Sequence, residues 1–280
     1  MQPKPVTMKR ILVPTDFSEQ AENALKIAAK IAKTYGGELY IIHSMEMPLH
    51  LATSSDTGSL PDSLFYVKLA ERRFSELRDK EYLQGITVHE TIGRNEIYED
   101  IEDACKKNKI NLIVMGSNGA SGFKEMFVGS NTEKVVRTSD TPVLVIKNND
   151  PEFDIKDFVF ASDFSKSGRA AFKKSQKFAR KIGAKTHLLF VNTPANFKTS
   201  TQAYKQMNDF IKGMDLADHT LNIHNDTSVE KGILNFTNHI NAQLIGMGTH
   251  GRKGISHFFN GSISEDLVNH AKMPIITFKI

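Results

Sequence analysis

The chain has a single cysteine, Cys105, so an intramolecular disulfide and a cysteine-cluster metal site are both excluded. Cys105 falls in a helix-like segment, EIYEDIEDACKK, where a packed thiol is expected rather than a reactive one. No stretch approaches the roughly 18–20 apolar residues of a membrane span. The opening MQPKPVTMKR has a basic end but no following apolar region, so no signal peptide is expected and the cytoplasm is the expected location. Neither sign of charge is in large excess. The formal charge is +4, and no run of lysine or arginine marks a basic arm, which gives no cause to expect nucleic acid as a partner. The ten histidines form no zinc signature. His219 and His224 are five apart in a strand-like segment, hence on opposite faces, while His250 and His257 flank a loop.

What is present is 40% hydrophobic and 24% charged, the balance of a soluble globular protein. A length of 280 residues suits one large domain or two ordinary ones. Halves of about 140 residues would each bury roughly two-thirds of the unfolded surface. Along the chain, apolar strands alternate with helical patterns. Strand-like Arg10 to Pro14 precedes the helix EQAENALKIAAKIAKTYGG, which Ser18 can cap and Gly36-Gly37 can end. ELYIIHS is a second strand, followed by a Pro-, Ser- and Gly-rich loop. A helix of about twenty residues is expected from beyond Pro61 to Tyr82, with Phe65, Leu69, Phe74 and Leu77 facing a core or an interface. ITVHETIG, a helix from Asn95 to Lys107, the run Leu112 to Met115, a helix over Ser130–Thr138 and PVLVIK complete the first half. Such alternation implies an α/β fold with parallel strands and helices on both faces.

The pattern then restarts. DFVFASDFSKS aligns with KRILVPTDFSEQ at an offset of 147, placing Asp163 on Asp16 and Phe190 on His43. Further on the offset is 132, with Gly248 on Gly116 and Pro274 on Pro142. The fifteen-residue loss falls between His43 and Gly93, so this is a tandem repeat with one variable region. The expected domains are 1–147 and 157–280, joined by a polar linker, 148–156.

Each half carries the same loop. Gly116 is followed after two residues by Gly119, and after nine more by Gly129-Ser130; Gly248, Gly251 and Gly261-Ser262 repeat this spacing. An apolar strand, a glycine-rich loop and a helix start let backbone N–H groups converge on an anion. A plain turn copied by duplication has the same signature. In a doubly wound sheet a ligand sits where strand order reverses, here between the strands ending at Asp16 and at Gly116. Asp16 could accept from a ribose or base, or it could cap the next helix. Ser130 and Thr132 add hydroxyls at a helix N-terminus. No Gly-Lys-Ser/Thr follows the glycines, so this is not a Walker A loop, and the spacing is not that of a dinucleotide fingerprint.

V-P-T-D-F-S near the start, G-x2-G-x9-G-S after the fourth strand and the closing T-P-V-L-V-I-K together resemble a tandem universal stress protein, over nearly all of both halves. The resemblance implies two open sheets of strand order 3-2-1-4-5, paired through their last strands as an intramolecular pseudo-dimer. It also implies bound ATP, ADP or AMP, with or without magnesium. Carried over by position, the first-half contacts are Pro14, Thr15, Asp16, Ser44, Met115, Gly116, Gly119, Gly129, Ser130, Asn131 and Thr132. Those of the second half are Ala161, Ser162, Asp163, Val191, Met247, Gly248, Gly251, Gly261, Ser262 and Ser264. Ser44 and Val191 stand where the family contacts adenine through the backbone. The second loop adds His250, Arg252 and Lys253, and the region before it is trimmed, so unequal sites are expected. With no Walker-type magnesium ligand and no base placed by motif, any ATP hydrolysis is expected to be slow. Three readings stay open: a nucleotide-binding sensor, a slow ATPase, and an interaction module that takes another small molecule. The sensor is the favoured one.

Overall fold

The computed structural model describes residues 8–45, 59–117, 129–147, 153–249 and 267–280, with the side chains of 59–63 left out. The first half runs β1 (Arg10–Pro14), α1 (Glu19–Tyr35), β2 (Glu38–Ser44), α2 (Ser59–Arg78), β3 (Val88–Gly93), α3 (Ile97–Asn108), β4 (Leu112–Gly116), α4 (Ser130–Thr138) and β5 (Val143–Ile146). The second half runs β6 (Asp157–Ala161), α5 (Arg169–Ile182), β7 (Lys185–Asn192), α6 (Ser200–Ile211), β8 (His219–Asn225), α7 (Val229–His239), β9 (Leu244–Thr249) and β10 (Ile275–Lys279).

The ten strands of the described residues form one sheet, in the order β3-β2-β1-β4-β5-β10-β9-β6-β7-β8. Each half therefore has strand order 3-2-1-4-5, with every pairing inside it parallel. The halves meet where β10 pairs antiparallel with β5, Ile276 opposite Leu144. This pairing removes two sheet edges that would otherwise be open to a stranger's strand. Because the direction of the strands reverses at that seam, the carboxyl ends of the two half-sheets lie on opposite edges of the whole. Two lysines at equivalent positions fasten the seam. Lys279 Nζ donates to Thr138 O at the end of α4 (3.1 Å) and pairs with Asp140 (2.8 Å). Lys147 Nζ donates to Val268 O in the other half.

The central strands β4 (LIVM) and β5 (VLVI) are buried along their apolar residues, as strands covered on both faces must be. Two apolar layers result. One face holds α1, α2, α5 and α6, with Leu25, Phe74, Phe172 and Phe210 among its buried residues. The other holds α3, α4, α7 and the helical turn 267–270, with Ile101, Val135, Ile233 and Leu267. No helix among the described residues is long and apolar enough to cross a membrane.

α2 differs from expectation in two ways. It begins at Ser59, two residues before Pro61, since a first-turn proline forfeits no intrahelical hydrogen bond; it ends at Arg78, and a 3-10 turn takes Glu81–Leu83. Its apolar stripe also divides. Phe74 and Leu77 are buried, with Phe74 edge-on to Phe17 at 5.3 Å, whereas Phe65 and Leu69 are exposed.

Candidate functional site

β1 and β4 are neighbours with Leu12 opposite Ile113, and the same register carried on puts Thr15 level with Gly116. From β1 the sheet grows through β2 in one direction, and from β4 through β5 in the other. The carboxyl ends of β1 and β4 thus flank a crevice at a topological switch point. At its β1 side a tight turn is held by four bonds. Thr15 N–H donates to Ile42 O (2.8 Å), Phe17 N–H to Thr15 Oγ1 (2.9 Å), Ser18 N–H to Asp16 Oδ1 (3.0 Å) and Ala21 N–H to Ser18 Oγ (3.2 Å). Ser18, not Asp16, is the cap of α1. Asp16 shapes the turn through one oxygen and stands exposed at the crevice, while Pro14 and Thr15 are buried beneath it.

Gly116 has a packing reason of its own. A Cβ there would stand 2.8 Å from the Gln20 carbonyl oxygen, so the strand end can only pass under the first turn of α1 as glycine. The base of the glycine loop is then closed by two bonds. Gly129 N–H donates to Ser117 O (2.8 Å), and the Thr132 hydroxyl donates to Gly116 O (3.0 Å). Thr132 is buried and turned inward, so its proton serves loop closure. Ser130 and Asn131 are exposed on the first turn of α4, whose N-cap, Gly129, offers no side-chain acceptor. The first N–H groups of α4, at the positive end of its dipole, have no side-chain cap among the described residues. Gly119 lies outside the described residues.

At the end of β2, Ser44 pairs with Gly93, and Ser44 Oγ is buried with no hydrogen-bond partner among the described residues. Asp100 was not foreseen. Its carboxylate is only 7% exposed, accepts from Asn95 N–H (3.3 Å) and Nδ2 (3.0 Å), and occupies the space a Gly93 Cβ would need. The signal was there: Asp100 interrupts the Ile97, Ile101, Ala104 stripe of α3, where an aliphatic residue would be routine. His43 was also missed; its Nδ1 lies 2.8 Å from Thr15 O and its ring 4.7 Å from Phe17.

The second half rebuilds the same turn. Ser162 N–H donates to Leu189 O (3.2 Å), Phe164 N–H to Ser162 Oγ (3.0 Å) and Ser165 N–H to Asp163 Oδ1 (2.9 Å). Phe17 and Phe164 share the left-handed conformation, φ 61 and φ 55. Ala161 pairs directly with Met247. A Cβ on Gly248 would meet Ile280 at 3.0 Å. Around this turn the chemistry changes. Phe190 replaces His43, and Val191 replaces Ser44, its methyls filling the space above Gly232, where a Cβ would be 2.4 Å away. Gln206 Nε2 donates to Asp163 O (2.6 Å), and Lys198 Nζ donates to Gln206 Oε1 while lying 5.4 Å from the Phe190 ring. The second crevice therefore has an apolar base crossed by a Lys198–Gln206 bridge. Gly251, Gly261, Ser262 and Ser264 lie outside the described residues, as do His250, Arg252 and Lys253. No group of three or more His, Cys, Asp or Glu converges as a metal site among the described residues.

The model described as the universal stress protein family matches this chain twice, over residues 7–147 and again over 155–279. The chain belongs to the universal stress protein family. Universal stress protein Slr1230 of Synechocystis is 24% identical over 299 aligned residues, covering 97% of this chain and 100% of that one. Universal stress protein MJ0577 of Methanocaldococcus jannaschii is 30% identical over 156 residues, 51% of this chain and 96% of its own. Among solved structures, a universal stress protein from Archaeoglobus fulgidus superposes with a TM-score of 0.75 at 24% identity, over 99% of each chain. The universal stress protein fold is thus present in both halves, and the two crevices stand at equivalent places in it.

Proposed function

We propose that this universal stress protein is a cytoplasmic, adenine-nucleotide-binding regulator of the stress response, and that the first-half crevice is its principal site. The domains follow the repeat, 1–147 and 157–280 around a linker at 148–156. One observation carries the reading: the helix N-terminus at Ser130, with no side-chain cap among the described residues, follows β4 at the switch point. A phosphate group supplies acceptors for the N–H groups of Ser130 and Asn131, and adenine meets Ser44 through its backbone at the end of β2. Asp16 accepts from ribose, Pro14, Thr15 and Met115 shape the floor, and Gly116, Gly119 and Gly129 let the backbone approach phosphate. Thr132 anchors the loop behind the ligand. Magnesium, where present, would arrive on the phosphates, and Asp16 would help hold it.

In the second half Ala161, Ser162, Asp163, Met247 and Gly248 repeat this frame, and Gly251, Gly261, Ser262 and Ser264 would complete it. Val191 fills the space above Gly232, and the Lys198–Gln206 bridge ties up the Asp163 carbonyl. The second site is accordingly the weaker. Titration calorimetry with ATP and magnesium tests this. One tight site per chain that is lost in Gly129→Ala and kept in Gly261→Ala is the expected result. Absence of binding for ATP, ADP and AMP alike rejects the reading.

A further inference from the structure

From Phe164 to Asn208 the chain has ten lysines and arginines and no aspartate or glutamate. The chain-wide charge conceals this, because residues 1–147 sum to −1 and residues 148–280 to +5. Folding concentrates these cations. α5 buries Ala171, Phe172, Ser175, Phe178 and Ala179 against the sheet and leaves Lys173, Lys174, Lys177, Arg180 and Lys181 exposed. Its first turn has no acidic residue. At its far end Lys181 Nζ lies 5.2 Å over the ring of Tyr35, at the end of α1. There the surface continues with Lys33 and half-buried Lys26 and Lys30, in a segment with no carboxylate between Glu22 and Glu38. The track therefore crosses from one half to the other and exists only in the joined sheet.

Part of this charge is neutralised internally: Arg180 pairs with Asp215 (2.7 Å), Lys205 with Asp209 (2.7 Å) and Lys26 with Glu22 (3.9 Å), and Lys174 donates to the Lys279 carbonyl (3.3 Å). Lys173 and Lys177 make no ion pair among the described residues. Alanine is the only apolar side chain exposed between Arg169 and Lys181. The exposed face of α5 itself thus lacks the aromatic anchors of a tight protein interface and the apolar wedge of a membrane-lying helix; the exposed Phe197 and Tyr204 lie outside α5. A phosphodiester backbone requires neither, only cations spaced along a line. The 14 residues of α5 extend about 21 Å, roughly two-thirds of a turn of duplex.

We propose that the exposed face of α5, extended by the end of α1, is a sequence-independent docking surface for the phosphate backbone of nucleic acid. The test is fluorescence anisotropy of a labelled 30-base-pair duplex with the full chain between about 50 and 200 mM salt. Binding is expected to weaken with salt at a log–log slope near −4, about four phosphates neutralised. Lys173→Gln with Lys177→Gln should shallow that slope by about two and weaken affinity at least about tenfold at the lowest salt. Lys106→Gln with Lys107→Gln, the same charge change on α3 across the sheet, should leave it unaltered. Unchanged melting temperatures keep the comparison clean. The proposal is overturned by failure to bind duplex at the lowest salt, by equal loss in both variants, or by retained binding in the α5 variant. Binding confined to inorganic polyphosphate or to anionic phospholipid vesicles, with none to duplex, overturns it as well.

Discussion

Replacing Thr132 by valine tests whether the base of the glycine loop is held as described. Valine keeps the shape and the β-branching, and its helix propensity is close to that of threonine, so the change removes one hydroxyl and little else. That hydroxyl donates to Gly116 O at 3.0 Å, and Thr132 is 6% exposed. Deleting one partner of a buried hydrogen bond costs about 1–3 kcal/mol. Gly116 is only half-buried, so its carbonyl recovers some water and the lower part of the range, about 1–2 kcal/mol, applies. For a chain of this size that corresponds to a melting temperature lower by about 2–6 °C. The start of α4 is also released from the end of β4, so ATP affinity should fall in the same variant. Thr132→Ser keeps the hydroxyl and should keep the affinity. Calorimetry and ATP titration on the three proteins decide it. A valine variant that melts with the wild type and binds ATP as well would refute the closure argument.

Other perturbations follow from the same geometry. Asp16→Asn retains an acceptor for the Ser18 N–H, so stability should hold while ATP affinity drops about tenfold, the worth of one charge-assisted bond; unchanged affinity would remove Asp16 from the site. Burial pushes the Lys147 ammonium down to about 8, below its value in the unfolded chain. Between about pH 8 and 10.5 the unfolded state then holds the extra proton, so this lysine's contribution to stability rises with pH through that window. Denaturation of Lys147→Met should lack that rise, and parallel pH profiles would contradict it. Burial pushes the Cys105 thiol up to about 11, so alkylation of the native protein at pH 7.5 should be far slower than that of the unfolded chain; equal rates would show an open thiol.

The alternation of strands and helices and the two repeat offsets made the α/β class and the tandem organisation legible, because periodicity and turn residues are local properties. The β5–β10 seam is not local and came from the resemblance alone. Gly116 shows where pattern reading falls short. The same residue suits an anion nest and a close helix crossing, and only the 2.8 Å approach to Gln20 reveals the second requirement. Asp100 and Ser44 both crowd Gly93, the latter through a β2–β3 pairing that spacing cannot display. The exposed Phe65 and Leu69 were indistinguishable from buried Phe74 and Leu77, since helical periodicity marks a stripe without marking how far its cover extends. The basic track was hidden for another reason: a chain-wide charge averages over surfaces that folding keeps apart.

The most direct test is native mass spectrometry of the gently purified chain, before and after addition of ATP and magnesium. One adenine nucleotide per chain, absent from Gly129→Ala and retained in Gly261→Ala, is the predicted result. A chain that stays free of nucleotide under both conditions would contradict the central claim.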